Sequence, residues 1–310
     1  MKKTALILMI LTILTKTLGF LREVVLSYYY GATNITDAYL ISLTIPVTIF
    51  GIIGTGIITG YIPIYSRIIN EEGQKSAENF TNNIINFIFV LCIVLTIIVE
   101  IFTPQIVRLF ALGFSDQVLE LSVFFTRIFI FSIFFYSISF LLNGYLQVND
   151  NFVIPAIGGI PLNLITIISI ILSAKHSIYL MPLGTLLAVF SQAFFLLLFA
   201  YKMGYRYRVL FDRDDENLKT IIYLALPVIL GTSINQINVL VDRTIASQIA
   251  EGGISALTYA NRLNLFIQSL FVLSISTAIY PMISRMAAED DIKGIKKSVS
   301  EAMNFISLLV

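Results

Sequence analysis

The chain has 310 residues, of which 57% are hydrophobic and 13% charged, with a formal net charge of +1. A soluble globular chain carries about 25% charged residues, so a mean hydropathy of +0.88 excludes an ordinary soluble protein and points to an all-α polytopic membrane protein. The net charge says nothing about nucleic acid, but with no basic tail or Gly-rich phosphate loop no nucleic-acid partner is expected, and one cysteine, Cys92, within an apolar run excludes a disulfide framework.

Lys2 and Lys3 precede an apolar run as in a signal peptide, but no small-residue cleavage site follows, so a retained first helix is expected. Residues 5–30 are long enough to cross a bilayer yet contain Lys16, Arg22 and Glu23. An ionised group at the bilayer centre costs about 2.5–3.5 kcal/mol on insertion scales, and such groups usually face a watery cavity or a polar partner. Thr12, Lys16, Gly19, Glu23 and Ser27 share one helical face. Further spans are expected at 38–65, 84–106, 121–147, 152–173, 178–201, 218–250 and 254–283, with a ninth beginning near Ile292. The second is interrupted by Pro46 and by Gly51, Gly54, Gly56 and Gly60, which permit a bend and close helix approach.

Thirteen of the twenty Lys and Arg fall in segments on the N-terminal side of the membrane and two on the other, which places the N-terminus in the cytoplasm. The longest cytoplasmic break divides a six-helix lobe (1–203) from a linker (204–217) and the start of a second lobe (218–310). Pro63, Ser66 and Arg67 are echoed by Pro281, Ser284 and Arg285, as in a transporter built from parallel six-helix repeats. The chain ends within an apolar run, so a fragment of a longer transporter is expected.

Lys16, Arg22 and Arg262 are cations deep within spans. The planar fork of arginine suits phosphate, so an anionic headgroup is the expected ligand. Glu23, Asp37 and Asp242 can balance these charges. Asn235, Asn238 and Asp242 fall on one face of the seventh span. They either line a cavity, with Asp242 as a cation or proton site, or form interhelical hydrogen bonds worth about 0.6 kcal/mol each. His176 reads as a solvated loop residue, no Cys/His set suits a metal, and the acids at 212–216 and 289–291 precede helices whose positive N-terminal dipoles they favour.

The segment LTKTLGFLREVVLSYYYGATNITDAYLISLTIP (14–46) resembles the opening of the MurJ (MviN) family of bacterial lipid II flippases, in the multidrug/oligosaccharidyl-lipid/polysaccharide (MOP) exporter superfamily. FTRIFIFSIFFYSISFLLNGYLQVNDNFVIPAIGGIPLN (125–163), ALPVILGTSINQINVLVDRTIAS (225–247) and ALTYANRL (256–263) extend the resemblance along the chain. It implies a MOP-type helical bundle of 14 helices, of which this chain supplies the first lobe and part of the second, with spans 1, 2, 7 and 8 around a cationic cavity. Lys16, Arg22, Glu23, Asp37 and Arg262 occupy family positions, Lys16 in place of a usual arginine. The family often has two arginines after its second-span Pro-Asn, whereas Pro46 is followed by uncharged Val47, Thr48, Ile49, Phe50 and Gly51.

The implied function is translocation of the lipid-linked peptidoglycan precursor (lipid II) across the bacterial cytoplasmic membrane, with no bond-making chemistry. The alternatives are transport of another polyprenyl-linked oligosaccharide, or a truncated scaffold that transports nothing. No cofactor is expected beyond a coupling cation (Na+ or H+) or the membrane potential. Expected partners are a polyprenyl-diphosphate saccharide, membrane lipids and cell-wall synthesis proteins.

Overall fold

Within a bilayer an apolar run can satisfy its backbone hydrogen bonds only as a helix or in a closed barrel. The computed structural model covers the backbone of residues 2–288 and 291–309, and their side chains except 2–6, 53, 58, 267, 269–282, 284–285, 288, 302 and 305–309. Among the described residues the chain forms α1 (Lys2–Tyr30), α2 (Asn34–Glu71), α3 (Gln74–Phe110), α4 (Asp116–Phe129), α5 (Ser132–Val148), α6 (Val153–Ile157), α7 (Gly159–Lys175), α8 (Leu180–Lys202), α9 (Glu216–Ile249), α10 (Gly253–Ala288) and α11 (Ile292–Leu309), with no strand. Among the described residues five segments are long and apolar enough to cross a membrane (α2, α3, α6 with α7, α8 and α9), and six if α4 and α5 count as one span. The side chains of the second half of the sequence echo (Pro281, Ser284, Arg285) and the acids Glu289 and Asp290 as a whole lie outside what the structure describes.

Two expected spans are broken. α4 and α5 meet at a 44° bend, and the fifth span is split into α6 and α7 at Gly158. Pro161 falls in the first turn of α7, where a missing N–H leaves no helical bond unmade. α3 kinks at Phe102 (φ −103°, ψ 17°), two residues before Pro104. Pro104 has no N–H for the carbonyl of Glu100, which instead accepts from the Thr103 hydroxyl at 3.1 Å.

Contacts divide the chain into two compact units, 1–257 and 258–310. In the first, α1 leans on α6 and α7. Thr15 Oγ1 donates to the Ala156 carbonyl at 3.0 Å, and the Tyr30 and Ser173 hydroxyls share a 2.7 Å hydrogen bond. α9 lies along α2 where α2 is glycine-rich. A Cβ on Gly56 would approach the Ala225 carbonyl to 3.1 Å and Ile229 Cγ1 to 2.8 Å, so the absence of a side chain lets the two backbones close. Buried aromatics fill the end of this unit where α2 and α5 terminate. Tyr61 stacks on Phe80 at 6.0 Å, and Tyr145 contacts both Tyr65 and Tyr205. In the second unit Asp291 starts α11, its Oδ1 accepting from Gly294 N at 2.9 Å.

Candidate functional site

α1 carries an ion pair within an apolar run, where charge is costly. Arg22 Nη2 donates to Glu23 Oε1 at 2.7 Å, with the side chains 24% and 8% exposed. Consecutive residues diverge by about 100° around a helix, so both side chains fold back to meet. The pair offsets the desolvation of each charge. Tyr39 of α2 and Tyr136 of α5 lie within electrostatic reach of the guanidinium, and Tyr39 is anchored by a 2.9 Å hydrogen bond shared with Thr185. An arginine held by one carboxylate retains donors for a second anion.

The polar face expected on α1 is divided in the fold. Glu23 is buried and a Cβ on Gly19 would lie 3.8 Å from the Asn163 amide, while Thr12, Lys16 and Ser27 are exposed. Asp37 has a different partner from those considered in sequence. Its Oδ1 accepts from Ser255 N at 2.7 Å and from the Ser255 hydroxyl, so a first-turn residue of α2 caps the N-terminus of α10. The approach to that cap requires a glycine. Gly252 has φ +74°, and a Cβ there would lie 2.3 Å from the Ala32 carbonyl oxygen.

Asn235, Asn238 and Asp242 are exposed on α9. At 100° per residue they form a strip between the face packed on α2, which holds Ala225 and Ile229, and an exposed apolar face with Ile234, Ile237 and Val241. Arg243 donates to the Ile254 carbonyl at 3.2 Å. Arg262 is exposed on α10 and belongs to the second compact unit. Among the described residues no group of three or more His, Cys, Asp or Glu is arranged to hold a metal ion.

The sequence reading passed over a second polar cluster. Asn82, Asn83 and Asn86 of α3 are buried and hold the segment between α8 and α9. Their Nδ2 groups donate to the carbonyls of Arg206 (3.2 Å), Asp212 (2.9 Å) and Leu210 (2.7 Å) respectively. Asn83 Oδ1 accepts from Asp212 N at 2.8 Å, Asn82 Oδ1 from the Tyr205 hydroxyl at 2.6 Å, and Asn86 Oδ1 from the Tyr207 hydroxyl. Phe87 stacks on Phe211 at 4.3 Å. Burial pushes the Tyr205 phenol well up, which keeps it a donor. Asp215 then starts α9, accepting from Asn217 N at 2.8 Å. The available signal was three amides within the apolar run TNNIINFIF.

The family model described as "Lipid II flippase MurJ" matches residues 26–310. The chain is 28% identical to a "Probable lipid II flippase MurJ" of Rickettsia prowazekii, covering 99% of this chain and 61% of that protein. It is also 28% identical to one of Buchnera aphidicola subsp. Baizongia pistaciae, with the same coverages. The chain thus spans about three fifths of the length of these relatives. Among solved structures, a lipid II flippase MurJ in an inward closed conformation superposes with a TM-score of 0.81 at 24% identity, over 96% of this chain and 62% of that one. An inward-facing MATE-family transporter of the MOP superfamily superposes with a TM-score of 0.69 at 18% identity, over 92% and 68%.

Proposed function

We propose, from the premise that this chain belongs to the lipid II flippase MurJ family, that it acts in moving a lipid-linked peptidoglycan precursor from the cytoplasmic to the outer leaflet of the bacterial cytoplasmic membrane. The observation that carries this reading is the Arg22–Glu23 pair, set in an apolar helix within electrostatic reach of Tyr39 and Tyr136. A diphosphate offers two anionic centres to a guanidinium fork already desolvated by its surroundings. Glu23 holds Arg22 when the headgroup is absent and competes with it when present, which keeps binding reversible, as transport requires. Lys16, about 9 Å from Arg22 along the helix axis, supplies a second, exposed cation.

Residues 1–203 form the first lobe of the transporter, 204–217 the cytoplasmic linker and 218–310 the start of the second lobe, with the N-terminus in the cytoplasm. The headgroup enters between the lobes, and rocking of one lobe against the other exposes it outward. No bond is made or broken. Asp242, on the polar strip of α9 with Asn235 and Asn238, is the candidate for coupling to Na+, H+ or the membrane potential.

The test is headgroup accessibility in proteoliposomes loaded with fluorescent lipid II. The protein is expected to raise the rate of outward exposure above that of protein-free vesicles, and Arg22→Ala to abolish the increase without reducing membrane insertion. Equal rates for Arg22→Ala and the unmodified protein would overturn the assignment.

A further inference from the structure

A groove of about 590 Å³ opens between α1, α2, α5 and α6, separate from the Arg22–Glu23 pair. Its volume falls within the range of small-ligand sites, about 300–1,000 Å³. None of its lining residues is charged. The polar ones are Thr12 of α1 and the amides Asn143 and Gln147 of α5, and the apolar ones include the aromatic rings of Phe140 and Phe152. Asn143 Oδ1 is buried and accepts no hydrogen bond from the protein. A buried acceptor left without a donor costs about 1–3 kcal/mol, so a turn of the Asn143 amide that brings this oxygen to the groove wall is favoured by a ligand carrying an N–H or O–H.

The groove also continues a track that begins at Arg22. Tyr136, Phe140, Asn143 and Gln147 are spaced i, i+4, i+7 and i+11, so they share one stripe of α5. Tyr136 is within electrostatic reach of Arg22, and the other three line the groove. On α1 Thr12 and Arg22 are ten residues apart, and on α5 Tyr136 and Gln147 are eleven apart. The separations correspond to about 15 Å and about 16.5 Å at the α-helical rise. A molecule with phosphate at Arg22 and a neutral, hydroxyl-rich part extending along α5 matches both ends of the track.

We propose that this groove is a saccharide subsite that takes the N-acetylated sugar portion of the headgroup. The inference rests on the reading that the chain handles a polyprenyl-diphosphate saccharide. The acetamido N–H donates to Asn143 Oδ1, ring hydroxyls exchange hydrogen bonds with Gln147 and Thr12, and the apolar face of a pyranose lies on Phe140 or Phe152. The absence of charge suits a neutral sugar and leaves the phosphates to the cations on α1.

The test uses the detergent-purified full chain with two probes, lipid II and undecaprenyl diphosphate, which lacks the sugars. Asn143→Leu with Gln147→Leu is expected to weaken lipid II about tenfold, the worth of one or two hydrogen bonds, and to leave undecaprenyl diphosphate unchanged. That second affinity also reports that the variant is folded. Loss of neither lipid, or an equal loss of both, overturns the subsite while the transport reading stands. If the unmodified protein binds neither lipid above phosphatidylethanolamine, the transport reading falls. The groove is then decided by maleimide labelling of Gln147→Cys. Slower labelling with millimolar N,N′-diacetylchitobiose, but not with sucrose, supports a sugar site, and an unchanged rate overturns it.

Discussion

Arg22 and Asp37 show two ways in which a buried charge is accommodated in an apolar surrounding. Arg22 meets a carboxylate one residue away on its own helix at 2.7 Å, so both its presence and its nearest partner can be read in the sequence. An ionisable group within an apolar run is conspicuous because its insertion is costly. Asp37 is equally conspicuous, but its partner is the backbone N–H of Ser255, 218 positions further along, and no local pattern indicates it. Asp37→Ala leaves that N–H without its carboxylate at the start of α10. We expect a loss of about 1–3 kcal/mol in stability, checked by thermal unfolding in detergent. Asp37→Asn, which retains an acceptor, is expected to lose less. An unchanged midpoint for Asp37→Ala would mean that the cap does not hold α10 in place.

At the scale of elements, periodicity and glycine spacing indicate helices and a close approach along α2, and α9 lies against Gly56 and Gly60 as that spacing suggests. The break at Gly158 and the 44° bend between α4 and α5 are not legible in the same way, because hydropathy runs through both sites without interruption. The segment 204–217 reads as a hydrophilic connection, yet it is fastened along α3 by Asn82, Asn83 and Asn86. α3 holds it through three backbone carbonyls as well as through Tyr205, Tyr207 and Phe211, and carbonyls carry no sequence signal, so its composition indicates only part of the docking. Asn83→Leu removes bonds to Asp212 N and the Asp212 carbonyl. Hydrogen exchange at 205–215 is expected to accelerate by about tenfold or more, with the interiors of α7 and α8 unchanged. Unaltered exchange in the segment would contradict its fastening. Because burial raises the Tyr205 pKa, the contribution of its phenol is complete below the ordinary phenol range and declines only as pH rises above about 10.

For the whole molecule, the bias of Lys and Arg gives a sidedness that the helices alone do not carry. On that bias we propose that the N-terminus, the α2–α3 connection and the segment before α9 face the cytoplasm. Val209 is 85% exposed in that segment, and Cys92, the one native cysteine, is buried. A membrane-impermeant maleimide is therefore expected to label Val209→Cys in inside-out vesicles and not in intact spheroplasts. Labelling in spheroplasts would reverse the orientation and with it the direction of loading.

The most direct test of the central claim, that Arg22 holds the diphosphate in competition with Glu23, is the affinity of the purified chain for undecaprenyl diphosphate across three forms. Arg22→Ala is expected to weaken binding by about tenfold or more, and Glu23→Gln, which frees the guanidinium from its carboxylate, to strengthen it severalfold. Opposite shifts in the two variants are the predicted result. Weakening in both would make the pair a structural brace, and no change in either would place the diphosphate elsewhere, so each contradicts the account.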